Sequence, residues 1–395
     1  LVGFHKPFVD SHADYTTFRP WHPMSLVHLH QLIKSFRGQL VLDQFDLEVE
    51  SGSYLVLLGP SGCGKTTTLR MIAGLERPDS GQVNINGENV TSVPPRKRDV
   101  SMVFQNDGLY PHLTVEQTLR LALRGRCKAS EVDSRFSEAV DLTGVSKLLD
   151  RLPGQMSGGE LRRAAIATAI AKKTVIRLFD EPMSALDVGL REQMQRDLVR
   201  WHHEVPGTTI HVTHDGNEAM RSADRIAVMG AGRILQVGDP ATVYDQPQEI
   251  AVAKAIGTPA MNWLEADTVD GWICLNDPTL AMSGTVRVDA DASCDGVILG
   301  VRPGGFLLTR KEEREQPNAI PGLHLSTKLL DCRIVQETVE IVVQFADTEW
   351  TAVFNRKDCG QLPTPGELIF LCVPADALHV FSASTQRRLD ISLVG

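Results

Sequence analysis

The sequence predicts an α/β protein built on a mostly parallel sheet and continued by an all-β module. Three observations predict it. A glycine loop, Gly59-Pro60-Ser61-Gly62-Cys63-Gly64-Lys65-Thr66, stands between an apolar strand and a helix. Short apolar runs then alternate with segments of helical period as far as about residue 240. From about residue 261 short β-like runs succeed one another with turn residues between them.

The bulk composition bounds the rest. At 395 residues, 42% of them hydrophobic and 23% charged, the chain has room for two or three domains with their own cores. No apolar run approaches the ~18–20 residues of a membrane span, so a membrane role would pass through a partner. A net charge of −9 argues against a general nucleic-acid binder. The seven cysteines are scattered without a C-x-x-C pair, which favours reduced thiols over a disulfide framework or a zinc site. Cys63, inside the glycine loop, reads as a small packed residue.

Residues 1–25 read as an irregular leader with Pro7, Pro20 and Pro23 and no period. They lack the pattern of a secretory signal. The absence of an initiator Met at Leu1 suggests processing, an upstream start or an artefact of the sequence's origin. His5, His12, His22, His28 and His30 fall in the first thirty residues, but their spacing matches no metal-ligand pattern. From Leu26 the chain alternates as a strand, turns at Arg37-Gly38 and returns through Phe45, Leu47 and Val49. Phe36 near that turn is open to two readings, core packing or a flat face for stacking adenine.

Tyr54–Leu58 reads as a buried parallel strand. Thr66 to Leu75 reads as a helix, with Leu69, Ile72 and Ala73 at helical spacing and Gly74 as its stop. Strand, loop and helix together form a phosphate cradle. Glycines let backbone N–H groups face phosphate oxygens, and the helix start adds its dipole. Lys65 is suited to the β- and γ-phosphates and Thr66 to Mg²⁺. Val83–Ile85 with Asn86-Gly87 reads as a hairpin. Val100–Phe104 is a second buried strand, with Gln105 at its C-terminal end, where α/β sheets gather ligands.

Residues 107–156 read as a helical insert, with helices over Val115–Leu123, Ala129–Leu142 and Val145–Leu152. Ser157 and Glu160 have the spacing of a capping box, so a helix starts there. Gly158 and Gly159 would let a phosphate approach that helix start. Thr174–Phe179 is a strand that ends in Asp180-Glu181, suited to hold Mg²⁺ and to polarise the attacking water respectively. Ser184–Asp187 leads into a helix over Leu190–His202. Thr208–Val212 is a strand ending in Thr213-His214, where His214 is a candidate γ-phosphate contact. Ile226–Met229 and Ile234–Val237 close as a hairpin.

These residues resemble, in order, the motifs of ATP-binding-cassette (ABC) importer ATPases. GPSGCGKT is similar to Walker A, Gln105 to the Q-loop glutamine, MSGGE to the signature, VIRLFDEP to Walker B, SALD to the D-loop and VTHD to the H-loop. MVFQNDGLYPHLTV, VGDPATVYDQP, IGTPAMN and VRP resemble the carbohydrate-importer branch, which includes maltose and glycerol-3-phosphate importers. The resemblance implies a P-loop NTPase cassette at 26–240, with a RecA-like sheet core, an antiparallel β subdomain and a helical subdomain at about 107–156. It implies a linker at 241–260 and an OB-like, TOBE-type regulatory domain at 261–395. The runs Gly284–Val288, Val297–Val301, Leu329–Val335, Val339–Phe345 and Leu368–Val373 fit that last part.

The implied activity is ATP hydrolysis coupled to uptake of a sugar or sugar phosphate, with ATP and Mg²⁺ as cofactors. ATP contacts carry over to Phe36, Gly59, Pro60, Ser61, Gly62, Cys63, Gly64, Lys65, Thr66 and Thr67. They carry over to Asp187 as well, and in trans to Ser157, Gly158 and Gly159, with Glu160 near the trans phosphate. Glu181, His214, Gln105 and Lys65 are the implied catalytic group; Thr66, Gln105 and Asp180 are the implied Mg²⁺ group. The implied partners are a second ATPase subunit in a head-to-tail dimer and two transmembrane permease subunits docking near Leu109-Tyr110-Pro111. An extracellular or periplasmic solute-binding protein would act indirectly, and a regulatory protein could dock on the C-terminal domain; nucleic acid is not among the partners. The implied place is the cytoplasmic face of the membrane.

Three positions depart from the pattern. Glu160 replaces a glutamine, Ala167-Thr168 stand where Gly-Arg is usual, and Arg177 interrupts a buried strand, as a charge that snorkels from an edge or as a sign of drift. Two alternatives stay open: a polyamine, iron or anion importer, or a regulatory cassette protein with impaired ATPase.

Overall fold

The computed structural model describes residues 25–105, 109–184, 186–269, 272–274, 280–283, 285–288, 296–309, 322–345, 348–360 and 362–394. The expected leader, apart from Ser25, lies outside them.

β1 (Ser25–Phe36) and β2 (Gln39–Glu50) form a long antiparallel hairpin. Arg37 (φ 50°) and Gly38 (φ 82°) supply the two left-handed turn positions that such a hairpin requires. β1 also pairs with β4 (Ser80–Ile85), and β4 with the short β5 (Glu88–Asn89) across Asn86-Gly87. This sheet packs its apolar face on one side of the central sheet, sharing a core with Leu55, Leu57, Leu69 and Ile72.

The central sheet contains β3 (Tyr54–Leu58), β6 (Val100–Val103), β7 (Ile176–Asp180), β8 (Thr208–Thr213), β9 (Arg225–Gly230) and β10 (Arg233–Gly238). Its order is β10-β9-β3-β8-β7-β6. All neighbours run parallel except β10, which returns from β9. β3, β7 and β8 are buried along their whole length, as strands covered on both faces must be. α1 (Lys65–Ala73) covers one face. On the other, Tyr54, Val56 and Leu58 pack with residues of α6 (Gly216–Ser222), α7 (Pro240–Asp245) and α8 (Ile250–Ala255).

A helical lobe contains α2 (Val115–Leu123), α3 (Val132–Thr143) and α4 (Gly158–Ala171), and α5 (Val188–Glu204) joins its core through Met194, Leu198 and Trp201. The expected helix at Val145–Leu152 is not formed. A single 3₁₀ turn stands at Ser146–Leu148, and the chain then extends toward Pro153. Proline disfavours helix in the residue before it. The extended carbonyls also have another use: those of Leu149 and Arg151 accept from the first amides of α2, Glu116 (3.0 Å) and Val115 (3.1 Å).

The expected linker at 241–260 contains two helices. Asp239 caps α7 ahead of Pro240, a strong start signal. Val243, Val252 and Ile256 are buried in the core beneath β3 and β9. Beyond α8 the described residues are mostly in β-strands. Asn262–Val269, Val297–Val301 and Leu378–Ser382 are neighbours in one antiparallel sheet; Gly322–Val335, Thr338–Phe345, Thr348–Asn355 and Leu368–Pro374 belong to another. Trp350 is stacked on Phe345 at 4.3 Å in its core. Arg302 joins this part to the helices before it. Its guanidinium donates to the carbonyls of Ala253 (3.2 Å), Tyr244 (3.1 Å) and Ile256, and lies 4.2 Å from the Tyr244 ring centroid.

Arg177 does not snorkel from an edge. β7 is an interior strand, and the side chain is 2% exposed. Its guanidinium donates to the carbonyls of Pro206 (3.3 Å) and Gly207 (3.2 Å) at the start of β8. Burial lowers its pKa from 12.5 to about 10, so it stays charged at neutral pH.

Candidate functional site

The glycine loop connects β3 to α1. A Cβ at Gly59 would lie 2.5 Å from the Met229 carbonyl oxygen, so the loop fits against β9 only without a side chain there. Gly64 precedes α1 at φ 107°, which turns the chain into the helix. Lys65 is buried, and its Nζ donates to Gly59 O (2.8 Å) and Pro60 O (2.9 Å). The ammonium therefore lies inside the concavity of its own loop. Cys63 is buried, and burial pushes its thiol pKa up, which fits a packed residue rather than a nucleophile.

The parallel sheet brings four strand ends to this loop. Thr66 Oγ1 donates to Asp180 Oδ1 at 2.8 Å. Burial pushes the Asp180 carboxyl above its usual range. A desolvated carboxylate beside a hydroxyl is a hard-oxygen pair that suits Mg²⁺. Glu181, the next residue, sits at φ 45°, held there by its amide donating to Val212 O (3.0 Å). One carboxylate oxygen accepts from Gln105 Nε2 (3.1 Å), and the other is 3.4 Å from His214 Nδ1. Thus residues that follow β3, β6, β7 and β8 meet at the C-terminal ends of the parallel strands.

Sequence reasoning missed Arg162. It is buried in the first turns of α4 and donates to Phe104 O (2.6 Å) and Gln105 O (2.8 Å), with Glu181 O at 3.5 Å. It ties the helical lobe to the backbone that carries Gln105 and Glu181. The signal was its place one turn into α4; hydrophobic periodicity cannot register a buried cation.

Ser157 caps α4 as expected. Its hydroxyl accepts from Glu160 N (3.3 Å), and Glu160 accepts from Ser157 N (2.8 Å). Glu160 also pairs with Arg151 at 3.2 Å, and the Ser157 hydrogen bonds hold its pKa below the usual carboxylate range. Among the described residues, no hydrogen bond or ion pair joins Ser157–Glu160 to Gly59–Thr67. Asp187 caps α5 through Leu190 N (3.0 Å). Phe36 is 42% exposed, with Lys34 Nζ 4.9 Å from its ring centroid, so it is not a core residue. Beside Phe104 lies a groove of about 360 Å³ lined by Leu109, Tyr110, Leu121 and Thr168, with Arg124, Arg126 and Lys172 also in its wall. Thr168, in the wall of the groove, donates back to Ala164 O (2.9 Å).

Comparisons with known proteins agree with one another. A family model described as "ABC transporter" matches residues 42–184. A sulfoquinovosyl glycerol transport ATP-binding protein of Agrobacterium fabrum is 37% identical over 369 residues, covering 93% of this chain and 100% of that protein. An sn-glycerol-3-phosphate import ATP-binding protein of Yersinia enterocolitica is 36% identical over 375 residues, again with 93% and 100% covered. The solved structure of cbiO1 from Clostridium perfringens, described as part of an ABC transporter complex, is similar at a TM-score of 0.51 and 24% identity, over 56% of this chain and 90% of that one. That structure supports the cassette fold alone.

Proposed function

Because the chain belongs to the ABC transporter ATP-binding family, in the branch of sugar and glycerol-phosphate importer ATPases, we propose that the residues around Lys65 and Glu181 form its hydrolytic site. The substrate class we propose is a glycerol-linked sugar or a glycerol phosphate. It rests on the named activities of relatives that align over nearly the whole chain.

The observation that carries the reading is the meeting of Thr66, Asp180, Glu181, Gln105 and His214 at the C-terminal ends of the parallel strands. The loop amides and Lys65 hold the triphosphate; Lys65 exchanges its two loop carbonyls for phosphate oxygens. Thr66 and Asp180, with Gln105 beside them, are the residues that would hold Mg²⁺, which supplies charge neutralisation on the phosphate oxygens. Glu181 accepts a proton from the attacking water, and Gln105 and His214 orient the carboxylate. The left-handed backbone of Glu181 is held by its amide on Val212 O while the carboxylate meets Gln105 and His214, a cost these hydrogen bonds sustain.

No helix among the described residues is long and apolar enough to cross a membrane. Coupling to transport then needs a permease, and the groove beside Phe104 is the docking place we propose for its cytoplasmic helix. Ser157, Gly158, Gly159, Glu160 and Asp187 serve a second ATPase subunit, each nucleotide lying between two chains. This agrees with the lack, among the described residues, of polar contacts from Ser157–Glu160 to their own chain's loop. A regulatory protein docking on the β-rich tail belongs to the same reading.

The test is Mg²⁺-dependent ATP hydrolysis as a function of chain concentration. Turnover per chain should rise with concentration, and Ser157→Arg should abolish it while ATP binding persists. Turnover per chain that stays constant on dilution and survives Ser157→Arg would refute the two-chain site.

A further inference from the structure

We propose that His28, His30, Asp46 and Glu48 form a binding site for a divalent transition-metal cation of the zinc class, on the polar face of the β1–β2 hairpin.

The argument begins with strand period. His28-Leu29-His30 places both imidazoles on one face of β1 and buries Leu29 on the other. Asp46-Leu47-Glu48 does the same on β2, burying Leu47. The antiparallel register pairs His28 with Glu48 and Leu29 with Leu47, so two imidazoles and two carboxylates form a two-by-two block. His30 Nδ1 is 3.1 Å from Asp46 Oδ1, and His28 Nε2 is 3.9 Å from Glu48 Oε1. The two imidazole centroids are 5.5 Å apart. Donor atoms of His28, His30 and Asp46 all lie within 4.8 Å of one another. Tetrahedral zinc with bonds of about 2.0–2.1 Å needs donors roughly 3.3 Å apart. The donors of His28, His30 and Asp46 therefore need to approach one another by no more than about 1.5 Å.

One ligand is already oriented. Asp46 Oδ1 accepts from the Gln31 amide at 3.0 Å, the kind of outer support that holds a ligating carboxylate in place. Gln31 (φ 44°) and Gln44 (φ 45°) are left-handed residues next to the block. Two nitrogen and two oxygen donors select Zn²⁺ or a similar cation over Mg²⁺, which prefers all-oxygen sites such as Thr66 and Asp180. Cross-strand His–carboxylate pairing alone would account for any one of these contacts. The three-way convergence of donors is what it leaves unexplained. A bound cation would clip β1 to β2 in the sheet that carries Phe36.

The experiment is equilibrium dialysis of the full chain against micromolar Zn²⁺ with elemental analysis, alongside thermal unfolding with and without Zn²⁺. The wild type should retain one equivalent more than His28→Gln/His30→Gln, and only the wild type should gain Tm from this equivalent. Asp46→Asn should weaken that equivalent at least tenfold. Hydrolysis in metal-chelated, Mg²⁺-containing buffer should be the same in all three, since none of these residues lies in the hydrolytic site. Equal retention by wild type and the folded double variant would place any zinc on thiols or other histidines and overturn the proposal. If the double variant fails to fold, Asp46→Asn decides: unchanged affinity there overturns it.

Discussion

Glu181→Gln separates chemistry from binding at this site, and the structure sets what should change. Glutamine has the length and shape of glutamate. Its carbonyl oxygen can accept from Gln105 Nε2, now 3.1 Å from the carboxylate, and its amide nitrogen can face His214 Nδ1, now at 3.4 Å. The left-handed backbone at residue 181 is held by main-chain contact with Val212 and is unaffected. What disappears is the proton acceptor. Loss of a positioned general base costs on the order of 10²–10⁴ in rate, equivalent to about 3–5 kcal/mol on the barrier. ATP affinity should be retained or tighten, because a negative charge near the triphosphate is removed. The assay is steady-state phosphate release at saturating Mg²⁺ and ATP, beside equilibrium binding of ATP. Turnover within about threefold of wild type would refute Glu181 as the base. Equal loss of turnover and of ATP binding would show that the residue holds the site together instead.

The same geometry fixes other outcomes. Asp180→Asn should abolish Mg²⁺-dependent hydrolysis yet raise the Tm of the metal-free chain at neutral pH. Burial raises the Asp180 pKa, so its contribution to stability is full only below the unfolded pKa and is lost as pH rises through the folded value; scanning calorimetry in chelator checks it. His211 has the opposite sign. Burial holds it neutral, with a pKa pushed from 6.5 down to about 3. Its contribution is full above pH 6.5 and falls by about 1.4 kcal/mol per pH unit toward pH 3. His211→Gln should flatten that slope in urea unfolding monitored from pH 7 to pH 4. Arg162→Ala should lower turnover about tenfold or more while ATP still binds, by releasing the carbonyls of Phe104 and Gln105; hydrolysis and binding measured together check it. Arg302→Ala should strip a buried cation from three carbonyls at a cost of about 2–4 kcal/mol, read as faster hydrogen exchange in α8.

The cassette was legible because its elements are locally determined. Tyr54–Leu58 is apolar throughout, Gly74 stops α1, and Asn86-Gly87 can be little other than a turn. Failures arose where long-range partners decide. Val145–Leu152 has helical composition, yet its carbonyls are taken by the start of α2, a partner many residues earlier. Residues 241–260 looked like a connector because α7 and α8 are too short to show a period. Arg177 reads as an anomaly because the carbonyls of Pro206 and Gly207 that accept from it lie just ahead of a neighbouring strand. The His30–Asp46 contact was invisible for a similar reason: ligand spacing along one strand reveals nothing when half of the donors sit on its partner.

Arg302 has a consequence of an evolutionary kind. It grips α7 and α8 through the main-chain carbonyls of Tyr244, Ala253 and Ile256, and it uses one side chain, the Tyr244 ring. Every residue type carries a carbonyl, so this grip by itself asks for no particular side chain at Ala253 or Ile256. The demand for particular letters then falls on Arg302, on the Tyr244 ring and on the packing of Ile250 and Ala253 against Met261 and Phe381 beside them.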